Sequence, residues 1–193
     1  MGDASRRLGV GAGRRGGGGL ARSRVRLHAN PPPLGLVEGA PASWVGLVPA
    51  DLKHLADQVM ALNPATNAFI HMDYHPGNVI SDGKTITGLV DWAGAAAGDV
   101  RADLARTAVT IETAPMPHGP LRLLYQSLRS LMLSGWKSGY RAEAGALPDY
   151  APFKTWAAAS LLREVERLIG LPGVWAGQEF VDELRRYALG GAR

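Results

Sequence analysis

The chain has 193 residues, 46% apolar and 20% charged, enough for one sizeable globular core. It contains no cysteine, which excludes disulfides, thiolate metal sites and cysteine nucleophiles. Its net charge of +4 is misleading, because residues 1–30 carry seven arginines against one acid, Asp3, while the remaining 163 residues carry 14 bases and 16 acids.

Residues 1–30 also hold eight glycines, including Gly16 to Gly19. Glycine loses the most backbone entropy on folding and the arginines repel one another, so a disordered arm is expected. Gly11, Gly13 and Gly16 match G-x-G-x-x-G, but no strand pattern precedes them and no apolar helix follows, so they read as part of that arm. Residues 31–50 carry Pro31 to Pro33, Pro41 and Pro49 and read as an extended linker. Residues 1–50 are therefore expected to be arm and linker, with the domain spanning 51–193.

Leu52, Leu55, Val59 and Leu62 follow a helical period with Asp51 as its cap, and Asn63-Pro64 ends that helix. Phe69-Ile70, Val79-Ile80 and Ile86 to Val90 are short apolar runs, with a turn signal at Ser81-Asp82-Gly83-Lys84. Small antiparallel strands follow from this pattern, with the turn between the second and third. Helical spacing then covers 100–113, about 119–139, about 150–169 and 177–189. The five tryptophans, Trp44, Trp92, Trp136, Trp156 and Trp175, read mainly as core, and the charges of Arg163 to Arg167 and Arg185-Arg186 as solvated helix faces.

The informative stretch is His71-Met72-Asp73-Tyr74-His75-Pro76-Gly77-Asn78, followed by Val90-Asp91-Trp92. Asp73 and Asn78 lie five residues apart on a loop shaped by Pro76 and Gly77. A hairpin after Asn78 can return Asp91 to that loop. Two carboxylates and an amide oxygen gathered there suit magnesium and leave one carboxylate to accept a proton. A rival reading puts His71, Asp73 and His75 on one face of a strand as the ligands of a metal-dependent hydrolase, with a further ligand among His28, His54 and His118.

His71, Asp73 and Asn78 have the spacing of the kinase catalytic loop H-R-D-x-x-x-x-N. With Asp91-Trp92, Gly98-Asp99 and Asp103-Leu104-Ala105 in order, the chain resembles the aminoglycoside phosphotransferase and choline kinase-like group, whose motifs are H-G-D-x-H-x-x-N, I-D-W, G-D-P and D-L-A. The resemblance implies an α+β, mainly helical fold: a protein-kinase-like C-terminal lobe with a short antiparallel hairpin at the site. The implied reaction transfers the γ-phosphate of ATP or GTP to a small-molecule hydroxyl, with magnesium. It implies Asp73 as catalytic base, Asn78 and Asp91 as metal ligands, and His71, His75 and Asp103 as supports of the site. Asp99 is expected to cap the helix that follows. Met72 and Val100 replace the usual glycine and proline, and both read as mild changes.

No strand pattern and no lysine occurs before Asp51, so the nucleotide-binding N-terminal lobe of such an enzyme is expected to be missing or truncated. A non-catalytic remnant or binding module therefore stands beside the enzyme reading. The uncovered lobe surface is expected to favour self-association. No nucleic-acid partner is expected, because aromatics do not interleave with the basic arm. No membrane partner and a cytoplasmic location are expected, because no apolar run reaches roughly 18 residues.

Overall fold

The computed structural model describes residues 19–37, 40–171 and 177–190. In chain order these form α1 (Gly19–His28), α2 (Leu34–Val37), α3 (Ala42–Val45), α4 (Lys53–Ala61), β1 (Ala68–Ile70), β2 (Val79–Ser81), β3 (Ile86–Leu89), β4 (Ala96–Gly98), α5 (Val100–Thr113), α6 (Leu121–Ala144), α7 (Lys154–Leu168) and α8 (Gln178–Ala188). The protein is thus mainly helical with short antiparallel strands. Among the described residues no helix is long and apolar enough to cross a membrane.

Helix α5 lies at the centre, buried continuously from Ala102 to Val109. Its alanines, with Ala157, Ala158 and Ala159 of α7, let the two helices approach closely, and Leu104, Trp156 and Leu162 fill the space beside them. The Trp156 indole donates to the Val45 carbonyl (2.9 Å), and the Trp44 indole donates to the Ala97 carbonyl (3.0 Å). The two rings meet edge to face at 5.3 Å. These indoles tie α3 and β4 into the core while satisfying their own N–H groups.

The expected hairpin is β2 against β3, antiparallel, with Val79 opposite Leu89. Its turn is closed by Asp82, whose carboxylate accepts from the Lys84 and Thr85 amides, with Gly83 at φ 85°. A second antiparallel pair, β1 with β4, sets Ala68 opposite Gly98 and Ile70 opposite Ala96. Ala96-Ala97-Gly98 carries no strand propensity, so sequence reasoning missed it. A methyl group at Gly98 would overlap the Ile70 side chain and come within 3.3 Å of the Trp44 indole nitrogen, which is why this position holds no side chain.

The arm-and-linker expectation does not hold for 19–37 and 40–50, where the chain forms α1, α2 and α3 with Arg24, Leu27, Trp44 and Val45 buried. The reason is local: the inner face of α1 mixes Val25 and Leu27 with Arg24 and His28, which pair with groups on α5 and α6, so the apolar period is broken. The Gly11, Gly13, Gly16 motif and Trp175 lie outside the described residues. Asp51 does not cap α4; it sits in a 3-10 turn (Ala50–Leu52) and its carboxylate meets Arg185 at 2.5 Å. Helix α6 runs to Ala144, past the expected end near 139, and stops where Gly145 takes φ 77°.

Candidate active site

Strand β1 ends at Ile70, and the chain then turns through His71 to Asn78 before entering β2. Met72 sits in the left-handed region at φ 68°, a conformation that costs a non-glycine residue about 1–2 kcal/mol. The glycine usual at this place in the resembling group meets that backbone without strain. Met72 is therefore a more costly departure than the mild change expected.

The strain is held from below by α5. Asp103 Oδ1 accepts from the Met72 amide (2.7 Å), and Arg106 Nε donates to the Met72 carbonyl (2.9 Å). Thr107 Oγ1 donates to the Tyr74 carbonyl (2.7 Å). Residues 103, 106 and 107 share one helix face, so a single face of α5 grips the loop on both sides of Asp73.

Asp103 is wholly buried and is itself held from α1. Its Oδ2 lies 2.8 Å from His28 Nε2 and 2.9 Å from an Arg24 guanidinium nitrogen. Arg24 also donates to Thr107 and lies over the Tyr74 ring at 4.7 Å, while His28 Nδ1 meets the Tyr140 hydroxyl at 3.0 Å. Burial alone would raise the Asp103 carboxyl, but Arg24 and His28 outweigh it and hold it well below the usual carboxylate range. Sequence reasoning missed Arg24, Arg106 and Thr107, and named His28 only as a metal ligand of the hydrolase reading. A histidine closing a helix just before Asn30 and Pro31 was the available signal, and the arginine-rich composition around it hid it.

His71 is fully buried beneath the indole of Trp92, ring centroids 4.5 Å apart. Its Nε2 donates to the Val90 carbonyl (3.2 Å) and its Nδ1 accepts from the Asp73 amide (3.4 Å). Burial pushes the imidazole below its ordinary value, so it is neutral and bridges the loop to the residue before Asp91. The hydrolase reading fails here. Residues 71–75 are not a strand, and both ring nitrogens of His71 are engaged. Among the described residues no three His, Asp or Glu side chains gather to hold a metal ion.

Asp73 and Asn78 are brought together. The Asn78 side-chain amide donates to both the Asp73 carboxylate (2.7 Å) and its carbonyl (2.9 Å). His75 accepts from the Gly77 amide through Nδ1 (3.1 Å) and turns Nε2 toward Asp73 at 3.5 Å. A side chain at Gly77 would press within 2.8 Å of that imidazole. Burial raises the Asp73 carboxyl, but His75, Arg106 and Asn78 outweigh it and keep it ionised below its ordinary value.

Asp91 follows Val90, whose amide donates to the Asn78 carbonyl (3.0 Å). The hairpin thus returns Asp91 beside Asn78, exposed and at φ 59°. Asp99 accepts from the Arg101 amide (2.8 Å) and caps α5 as expected, aligning the helix that carries Asp103. Trp136 and Trp156 are buried in the core.

The loop thus pairs the Asp73 carboxylate with the Asn78 amide, and the hairpin brings Asp91, through its neighbour Val90, to Asn78. The family model described as "Phosphotransferase enzyme family" matches residues 16–145, about two thirds of the chain, and the protein belongs to that family. The match begins ahead of α1, in accord with the place of that helix in the fold. No curated protein gives a significant match.

Proposed function

We propose that this chain is the catalytic part of an ATP- or GTP-dependent phosphotransferase acting on a small-molecule hydroxyl. The observation that carries this reading is the pairing of Asp73 with Asn78 on a loop whose neighbour Val90 delivers Asp91. Asp73, ionised and one-third exposed, orients the acceptor hydroxyl and takes its proton as the oxygen bonds to the γ-phosphorus and the nucleoside diphosphate leaves. The Asn78 amide oxygen and the Asp91 carboxylate are hard oxygen donors and fit magnesium. With few protein ligands, that cation would complete its shell with phosphate oxygens and water and neutralise charge on the transferring group.

His71 and Asp103 act as positioning residues, His71 on the segment that carries Asp91 and Asp103 on the loop that carries Asp73. His75 orients Asp73. Ile80 of β2 and Val90, which follows β3, are 51% and 40% exposed and would offer apolar surface to a flat base.

A second reading, a module that binds without turnover, is favoured by one observation. Among the described residues ahead of β1 there is helix and no strand, and the first lysine of the sequence is Lys53. Calorimetry with magnesium–ATP separates the readings. Binding that needs magnesium and is lost in Asp91→Ala supports the site. Turnover of the bound nucleotide with a hydroxyl acceptor supports the enzyme, and binding without turnover supports the module. No binding at millimolar nucleotide overturns both.

A further inference from the structure

The first half of α6 is apolar where a surface helix is ordinarily polar. Leu121, Leu124, Tyr125, Leu128, Leu131 and Met132 are each between 37% and 69% exposed. At 3.6 residues per turn they form one continuous stripe, and its four leucines repeat at the 3-4-3 spacing of a helix-pairing seam, while Leu123, 73% exposed, stands apart from it. The residues that fasten α6 to the protein lie on another face. Trp136 and Tyr140 are buried, and Arg129 donates to the Glu112 and Ala114 carbonyls at the end of α5. Scattered exposed leucines are ordinary, but a contiguous stripe marks an interaction surface.

We infer that this stripe is the contact between two copies of the chain, paired antiparallel about a two-fold axis that crosses α6 between Leu124 and Leu128. Complete coverage of the six exposed side chains would bury about 1,200 Å² over the two copies, an upper bound that reaches the threshold of a specific interface. The face is self-complementary, as an isologous contact requires: leucine meets leucine and no charge enters the seam.

The charges also select the direction. Arg122 and Arg129 are the charged residues between Leu121 and Trp136, and Arg129 is turned onto α5. Antiparallel pairing holds the two Arg122 side chains about 12 Å apart along the axis, beyond a Debye length at physiological salt, whereas parallel pairing sets them side by side. A membrane surface is the poorer occupant, because beside the stripe α6 has only Arg122 and Arg129, and Arg129 is engaged with the Glu112 and Ala114 carbonyls.

Sedimentation velocity of the full chain between about 1 and about 100 µM tests this, the usual range for an interface of this size. The expected result is a concentration-dependent species of twice the 20.4 kDa chain mass. Leu124→Glu with Leu128→Glu should leave a monomer throughout, with unchanged circular dichroism. Should that pair unfold, Leu131→Lys at the 69% exposed end of the stripe is expected to weaken dimerisation at least about tenfold. Leu189→Glu, equally exposed but at the end of α8, should leave the dimer intact. A monomer at the highest concentration, a dimer that survives the stripe variants, or dissociation by Leu189→Glu overturns the inference. So does binding of monomer to vesicles of phosphatidylglycerol and phosphatidylcholine.

Discussion

Asparagine at position 103 keeps the size and one acceptor oxygen of the native aspartate but removes its charge. That oxygen can still take the Met72 amide. The other position becomes an N–H₂ group facing His28 Nε2 and the Arg24 guanidinium, two groups that now meet a carboxylate at 2.8 and 2.9 Å. Arg24 and Asp103 are both wholly buried, so neither gains water when the pair is broken. Removing one partner of such a pair costs about 3–5 kcal/mol, a large part of the about 5–15 kcal/mol that stabilises a typical domain. We expect Asp103→Asn to lower unfolding stability by that amount in urea melts followed by tryptophan fluorescence. Asp57→Asn, which breaks an ion pair with Lys53 that is about two-thirds exposed on both sides, should change it by less than about 1 kcal/mol. The pH dependence has a definite sign. The folded Asp103 carboxyl is depressed, because Arg24 and His28 outweigh its burial, so its contribution is present above the unfolded value of about 3.9 and disappears as pH falls below it. The gap between native and variant should therefore be full from pH 6 to 8 and shrink below about pH 4. A variant within about 1 kcal/mol of native at neutral pH would show that α1 does not brace the loop through this carboxylate.

Met72→Gly should be more stable than Met72→Ala by about 1 kcal/mol, the reverse of the usual order, because only glycine relieves φ 68°; thermal melts of the two variants decide it. Gly98→Ala should cost about 1–3 kcal/mol by forcing Ile70 and Trp44 apart, and an unchanged melting temperature would contradict the close β1–β4 approach. His28 and His71 both lie below their ordinary values chiefly through burial, so the unfolded chain binds more protons below about pH 6.5. Stability should fall as pH drops from 7 to 5, and His71→Gln should flatten part of that slope in pH-resolved denaturation. Asp73→Asn should lower any phosphotransfer rate by at least about 100-fold while shifting stability little, since its side chain is about one-third exposed; a near-native rate would remove it as the base.

What the sequence made legible was whatever local pattern encodes. The β2–β3 hairpin has its turn residues and apolar runs, α5 has its Asp99 cap, and the spacing of Asp73, Asn78 and Asp91 set by loop and hairpin shows directly in the order of residues. What stayed hidden depends on partners distant in sequence. Helix α1 carries three arginines behind a run of glycines, which reads as disorder, and the buried acid at Asp103, 75 residues beyond His28, helps make Arg24 and His28 core residues. Strand β4 is two alanines and a glycine, and it pairs with β1 because a side chain at Gly98 would not fit against Ile70. Asp51 looked like a cap because caps are judged from the residues that follow, whereas Arg185 reaches it from α8.

Strain and bracing at the loop belong to one arrangement. A left-handed methionine would relax if its peptide groups were unheld, yet Asp103 takes its N–H and Arg106 its C=O, and Thr107 fixes the Tyr74 carbonyl beyond Asp73. Arg106 is in turn anchored on Glu164 of α7 at 2.7 Å, and Asp103 on α1. The position of Asp73 is therefore set by three helices rather than by the loop alone. Without α1, Asp103 would be a buried charge with no cation, and the loop above it would lose its hold on the backbone of Met72.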